Sequence, residues 1–122
     1  LALDPAASPL QQLRQRCRAA LDFYVSDPHF SRIFLNEYPE QADGIIQQET
    51  QRHFMLIRNY VEKAMMVGEI PRDDPETIAA IINGMITSLI DLDVMNNRLC
   101  DAERIMANIE RFVLQPLTAE RS

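Results

Sequence analysis

Residues 74–95, DPETIAAIINGMITSLIDLDVM, decide the fold class. Asp74 can accept from the free N–H groups of a first helical turn, and Pro75 suits the first position, where no backbone N–H is needed. Ile78, Ile81, Ile82, Met85, Ile86, Leu89, Ile90 and Leu92 then recur at steps of three and four, the period of an α-helix. They cover about half of the helical wheel, which is wider than the stripe of an ordinary surface helix. The remaining arc carries Ala80, Gly84, Ser88 and Asp91. A mid-helix glycine costs about 1 kcal/mol relative to alanine. Close approach of a second helix along Ala80, Gly84 and Ser88 would offset that cost.

The same punctuation extends outward in both directions. Ser8-Pro9-Leu10-Gln11 reads as a capped start with a capping box, followed by the stripe Leu10, Leu13, Cys17, Leu21 and Tyr24. Asp27-Pro28 ends that helix and opens a short second one bearing Phe30, Ile33, Phe34 and Leu35, which Pro39 closes. A third helix is expected over 40–67, stopped by Gly68 as a left-handed cap. Asn96 and Asn97 mark a turn after the fourth helix. Asp101 caps a fifth, which carries Ile105, Met106, Ile109, Phe112 and Val113 on one face and stops at Pro116. No strand-like alternation occurs, so the class is all-α: a five-helix bundle over 8–116, preceded by a linker at 1–7 and followed by a frayed tail at 117–122.

Composition narrows the function. The 122 residues have room for one core, with 47% hydrophobic and 25% charged residues, as in an ordinary globular domain. The net charge is -6, and no basic cluster stands out, so this segment is not expected to grip nucleic acid itself. No apolar run approaches the ~18 residues of a membrane span, and the first residues lack the pattern of a signal peptide. The expected location is cytoplasmic, without membrane contact. Cys17 and Cys100 lack metal or redox spacing and read as free thiols that behave as small apolar residues.

Catalysis finds no support. His29 and His53 belong to no metal spacing, and Glu49 with His53, four apart, is a weak pair on its own. The glycines stand singly at 44, 68 and 84, so no phosphate loop exists. The reading is a protein that is not an enzyme and needs no cofactor or metal. Polar side chains on an apolar stripe are the remaining signal. Ile46, Ile57, Tyr60, Ala64 and Val67 share a face with Thr50 and His53, and Glu49 sits at its edge. An inward histidine is either satisfied by a core neighbour or lines a cavity. Six methionines suit an adaptable apolar pocket as well as ordinary gap-filling.

Residues 8–38, SPLQQLRQRCRAALDFYVSDPHFSRIFLNEY, resemble the start of the regulatory domain of TetR-family transcription regulators. Residues 55–92 fit as well: a long helix ending in Gly68-Glu69-Ile70, an Arg72-Asp73-Asp74-Pro75-Glu76 loop, then an Ala/Ile-rich helix interrupted by Gly84. The resemblance implies that helices 75–95 and 101–115 make a dimeric four-helix bundle with a second copy. Ala80, Gly84, Ser88, Ile105, Met106, Ile109, Phe112 and Val113 are the expected interface. It also implies a cavity for a small apolar or amphipathic effector, with Glu49, Thr50, His53 and Tyr60 pointing inward and Phe30, Phe34 and Met85 as walls. DNA would be met only through an N-terminal helix-turn-helix domain, expected before residue 8 and absent from this chain. The alternative is a helical protein–protein adaptor without a small-molecule pocket.

Overall fold

The computed structural model describes residues 7–26 and 44–119, and every regular element among them is helical. The short helix expected around Phe30 and Phe34 lies outside the described residues. The elements are α1 (Pro9–Val25), α2 (Gly44–Met66), α3 (Pro75–Met95) and α4 (Ala102–Ile109), then a π-helical turn (Glu110–Leu114) and α5 (Gln115–Ala119). α1 packs against α2, α3 and α4, and α3 packs against α2 and α4.

Each start uses the expected chemistry. Ser8 Oγ accepts the Gln11 N–H at 3.2 Å, Asp74 accepts from Glu76, and Asp101 accepts from Glu103 and Arg104. Glu69 adds a cap from a distance: its Oε1 accepts the Leu10 N–H at 3.0 Å, tying the α2–α3 connection to the first turn of α1.

Two helices end the same way. Gly68 has φ +80°, its N–H donates to Met65, and the Glu69 N–H donates to Ala64. Asn97, at φ 54°, repeats the pattern with Val94, while the Arg98 N–H donates to Asp93. These are Schellman closures, which put a residue in the left-handed region to satisfy the last carbonyls.

The core holds Leu13, Cys17, Leu21 and Tyr24 from α1, Ile57, Val61 and Ala64 from α2, Ile82, Ile86 and Ile90 from α3, and Ile105 and Ile109 from α4. Val67 is exposed, against expectation, because α2 ends at Met66 and the chain has already turned. Val61 takes the core place instead.

The fifth predicted helix is interrupted. Glu110–Leu114 widens into a π turn, with the Gln115 N–H reaching back to Glu110. The widening brings Val113 and Leu114 both into the core and precedes Pro116, whose ring would clash with the carbonyl four residues back in a tight α-helix. The chain therefore stays helical past Pro116, to Ala119.

α3 is long and apolar enough to cross a membrane by length and composition alone, with a mean hydropathy of 1.6 over its best window. No apolar run of membrane-spanning length was expected from the sequence, and α3 departs from that expectation by this measure. Only 33% of that window is buried inside the chain, so much of the helix faces outward.

Asp93 is the polar exception in the core. It is 0% exposed, receives an N–H from Arg104 and lies 3.2 Å from Arg98, which joins the end of α3 to α4. Arg104→Met would leave that carboxylate with Arg98 alone. The expected loss is about 2–3 kcal/mol of unfolding free energy, the range for a hydrogen bond to a charged group. Urea denaturation measures it, and an unchanged midpoint would remove the pair from the stability account.

Candidate functional site

The seam between α1 and α2 collects polar groups in an otherwise apolar interior. The helices run antiparallel: Phe23 meets His53, Arg16 meets Tyr60, and Leu10 meets Glu69. Steps of seven on each helix bring Arg16 and Phe23 to one face of α1, and His53 and Tyr60 to one face of α2.

His53 is 7% exposed, and its Nδ1 has no hydrogen-bond partner among the described residues. Its ring lies 5.1 Å from that of Phe23, tilted by 35°, and its Nε2 stands 4.0 Å from Glu49 Oε2. Glu49 is shared with Arg52, at 3.3 Å. Burial is the main cause that pushes the His53 pKa down; the charges of Arg52 and Arg16 add to it, and Glu49 opposes it.

One turn toward the start of α2, the Thr50 hydroxyl is buried near the Tyr24 phenol with no hydrogen-bond partner among the described residues, and that phenol donates to Asn83 Oδ1 at 3.3 Å. Burial raises the Tyr24 pKa, with Thr50 opposing. Further along the seam, two cations lie near the Tyr60 ring: Lys63 Nζ is 4.6 Å and the Arg16 guanidinium carbon 5.9 Å from its centre.

Of the residues expected to face a cavity, Thr50 and His53 are brought together with Tyr24 and Asn83. Glu49 lies at the edge and Tyr60 further along the seam. Met85 is half-buried against the core on α3. Phe30 and Phe34 lie outside the described residues. Sequence reasoning missed Arg16, Phe23 and Asn83. Asn83 had a readable signal, an amide amid isoleucines on a core helix; Arg16 had only its spacing from Phe23.

Two of the best-formed pockets among the described residues lie elsewhere. One, of about 450 Å³, is an open groove between α1 and α4, lined by Arg14, Arg18, Glu103, Met106 and Glu110 among others. Arg14–Glu110 at 2.7 Å and Arg18–Glu103 bridge it. A smaller one, of about 220 Å³, sits where Met65, Met66, Arg72 and Pro75 meet. Neither includes His53.

The expected interface residues divide. Ala80, Gly84 and Ser88 are exposed on α3, in line with exposed Ile81, Leu92 and Met95. Phe112 is 59% exposed, with the Arg111 guanidinium 5.1 Å from its ring centre. Met106 is half-buried, whereas Ile105, Ile109 and Val113 are packed against the interior of their own chain. α4 points its apolar stripe inward because α1 lies against it.

Both cysteines are free. Burial, and then Glu110, push the Cys17 thiol up to about 12, so it remains protonated and unreactive. Partial burial, and then Asp93, raise that of Cys100. Among the described residues, no three His, Cys, Asp or Glu side chains gather as a metal site would require.

With its pKa lowered in the fold, His53 protonates more readily in the unfolded chain. Its contribution to stability is whole above its ordinary value of 6.5 and falls as pH drops below it. Between about pH 8 and about pH 5.5, His53→Phe should therefore lose less stability than the parent in urea melts. Equal losses would mean that His53 is not held neutral by burial.

A search of curated proteins found no match, and neither did a search of solved structures. The family described as "Tetracyclin repressor-like, C-terminal domain" matches residues 10–90, which span α1 through most of α3.

Proposed function

Since the chain belongs to the tetracycline repressor-like C-terminal domain family, we propose that it is the effector-sensing and homodimerising half of a transcription regulator. One observation carries the reading. α3 is apolar over about half of its wheel, and its own chain covers the side of Ile78, Ile82, Ile86 and Ile90, leaving Ile81, Leu92 and Met95 exposed. A second copy, related by a two-fold axis, buries that stripe against itself, with Phe112 alongside. Gly84 supports this arrangement, since nothing within the chain comes within 4 Å of an added Cβ there. Its own fold does not require the glycine; a neighbouring helix would.

The effector site in this reading is the seam of Tyr24, Thr50, His53 and Asn83. Binding there favours one arrangement of the two subunits over another and so changes the spacing of DNA-reading domains that lie outside this sequence. The chain then acts in the cytoplasm as a ligand-dependent repressor and catalyses nothing. The position of both pockets away from His53 favours a second reading, a helical adaptor that recognises another protein.

Gly84→Arg should convert a dimer to a monomer in light scattering. Gly84→Ala separates the cases further: a chain that works alone gains about 1 kcal/mol of helix stability, whereas a dimer that uses the glycine for close approach associates more weakly. A parent chain that is monomeric at high concentration would overturn the dimer. His53→Phe should weaken effector binding and leave the dimer intact. An effector that stabilises parent and variant equally in thermal melts would move the site elsewhere.

A further inference from the structure

We infer that the molecule sensed at the α1–α2 seam is a small amphipathic organic acid, with its anionic group taken by Arg16. This rests on the effector-site reading above and adds the chemistry of the ligand.

Pairing of the arginines carries the argument. On α1, Arg14 meets Glu110, and Arg18 meets Asp22 and Glu103. On α2, Arg52 meets Glu49, and Arg58 meets Glu62. Among the described residues, Arg16 is the one arginine of these two helices that meets no carboxylate. Its Nε is buried and makes no hydrogen bond. A guanidinium is a fork of donors that matches a carboxylate in two parallel bonds, and a buried donor left unused costs stability. The position is therefore complementary to an acid that the described residues do not supply.

Local charge points the same way. The chain carries a net charge of -6, yet this seam gathers Arg16, Arg52 and Lys63 against Glu49, and Glu49 is already engaged by Arg52. The positive field reaches His53, since Arg16 and Arg52 both disfavour its protonation. An entering anion relieves that field and leaves His53 Nδ1, also without a partner, to donate or accept at a second ligand atom. The half-buried rings of Phe23 and Tyr60 add apolar surface beside His53 and Arg16 for the ligand's body. A neutral apolar ligand would cover the same surface and leave Arg16 unsatisfied.

Matched probes test the inference: 2-naphthoate against 2-naphthamide, and decanoate against decanamide, by thermal shift and calorimetry on the protein at neutral pH. The acids should raise the melting temperature and the amides should not. Arg16→Gln should weaken the acids by about tenfold or more, and Arg16→Lys should recover part of the loss. Arg16 makes no ion pair among the described residues, so both variants should melt cooperatively, which circular dichroism checks. If acid and amide bind alike, or Arg16→Gln leaves acid affinity unchanged, the inference is overturned; weakening of those ligands by His53→Phe would still sustain the effector site. Binding by none of the four probes also overturns it, and a neutral compound found by screening, sensitive to His53→Phe, would then keep the site without the acid.

Discussion

An α-helix buries whatever apolar side chains it can set against a neighbour, and α3 carries them over about half of its wheel, more than its own chain covers. Each fully buried isoleucine or leucine contributes about 1.5–3 kcal/mol relative to exposure. Packing Ile82, Ile86 and Ile90 against α1, α2 and α4 therefore organises the interior. That arrangement also directs the rest of the molecule. It draws Asp93 inside with its two arginines, turns the stripe of α4 inward, and leaves Ile81, Leu92 and Met95 with nothing of their own chain to cover them. Outward-facing apolar residues on a helix of this hydropathy call for a partner, and a self-complementary stripe lined by Ala80, Gly84 and Ser88 lets a second backbone come close.

The α1–α2 seam obeys the opposite logic. Tyr24, Thr50, His53 and Asn83 sit where an apolar core would be simpler, and a hydrogen bond satisfies part of the set. Among the described residues, Arg16 Nε, Thr50 Oγ1 and His53 Nδ1 remain without hydrogen-bond partners. Natural interiors seldom keep such groups without a use. The two halves of the proposed function thus occupy different faces of the same scaffold, a polar seam between α1 and α2 and an apolar stripe on the far side of α3. α3 touches both: Asn83 reaches Tyr24, and the next residue is Gly84. A change at the seam has only one helix to cross before it reaches the outward face.

The groove between α1 and α4 contributes little to that picture. Its ion pairs are part-exposed, and such pairs are worth at most about 1 kcal/mol each. They link the two helices across the groove.

Much of this was legible in the linear chain, because capping and periodicity act over four residues or fewer. Ser8, Asp74 and Asp101 at helix starts, Gly68 and Asn97 at helix ends, and the stripes of α1 and α3 follow from local sterics and hydrogen bonding, which residue type alone dictates. The inward position of His53 followed from the same periodicity. Packing decided what remained. Periodicity says that Ile105, Ile109 and Val113 share a face but not which neighbour that face meets, and α1 claimed it. The same holds for the π turn before Pro116, the depth of Asp93, and the separation of Arg16 from every carboxylate of its own two helices. Each depends on residues far apart in sequence arriving at one place, and no pattern within a single helix encodes that distance.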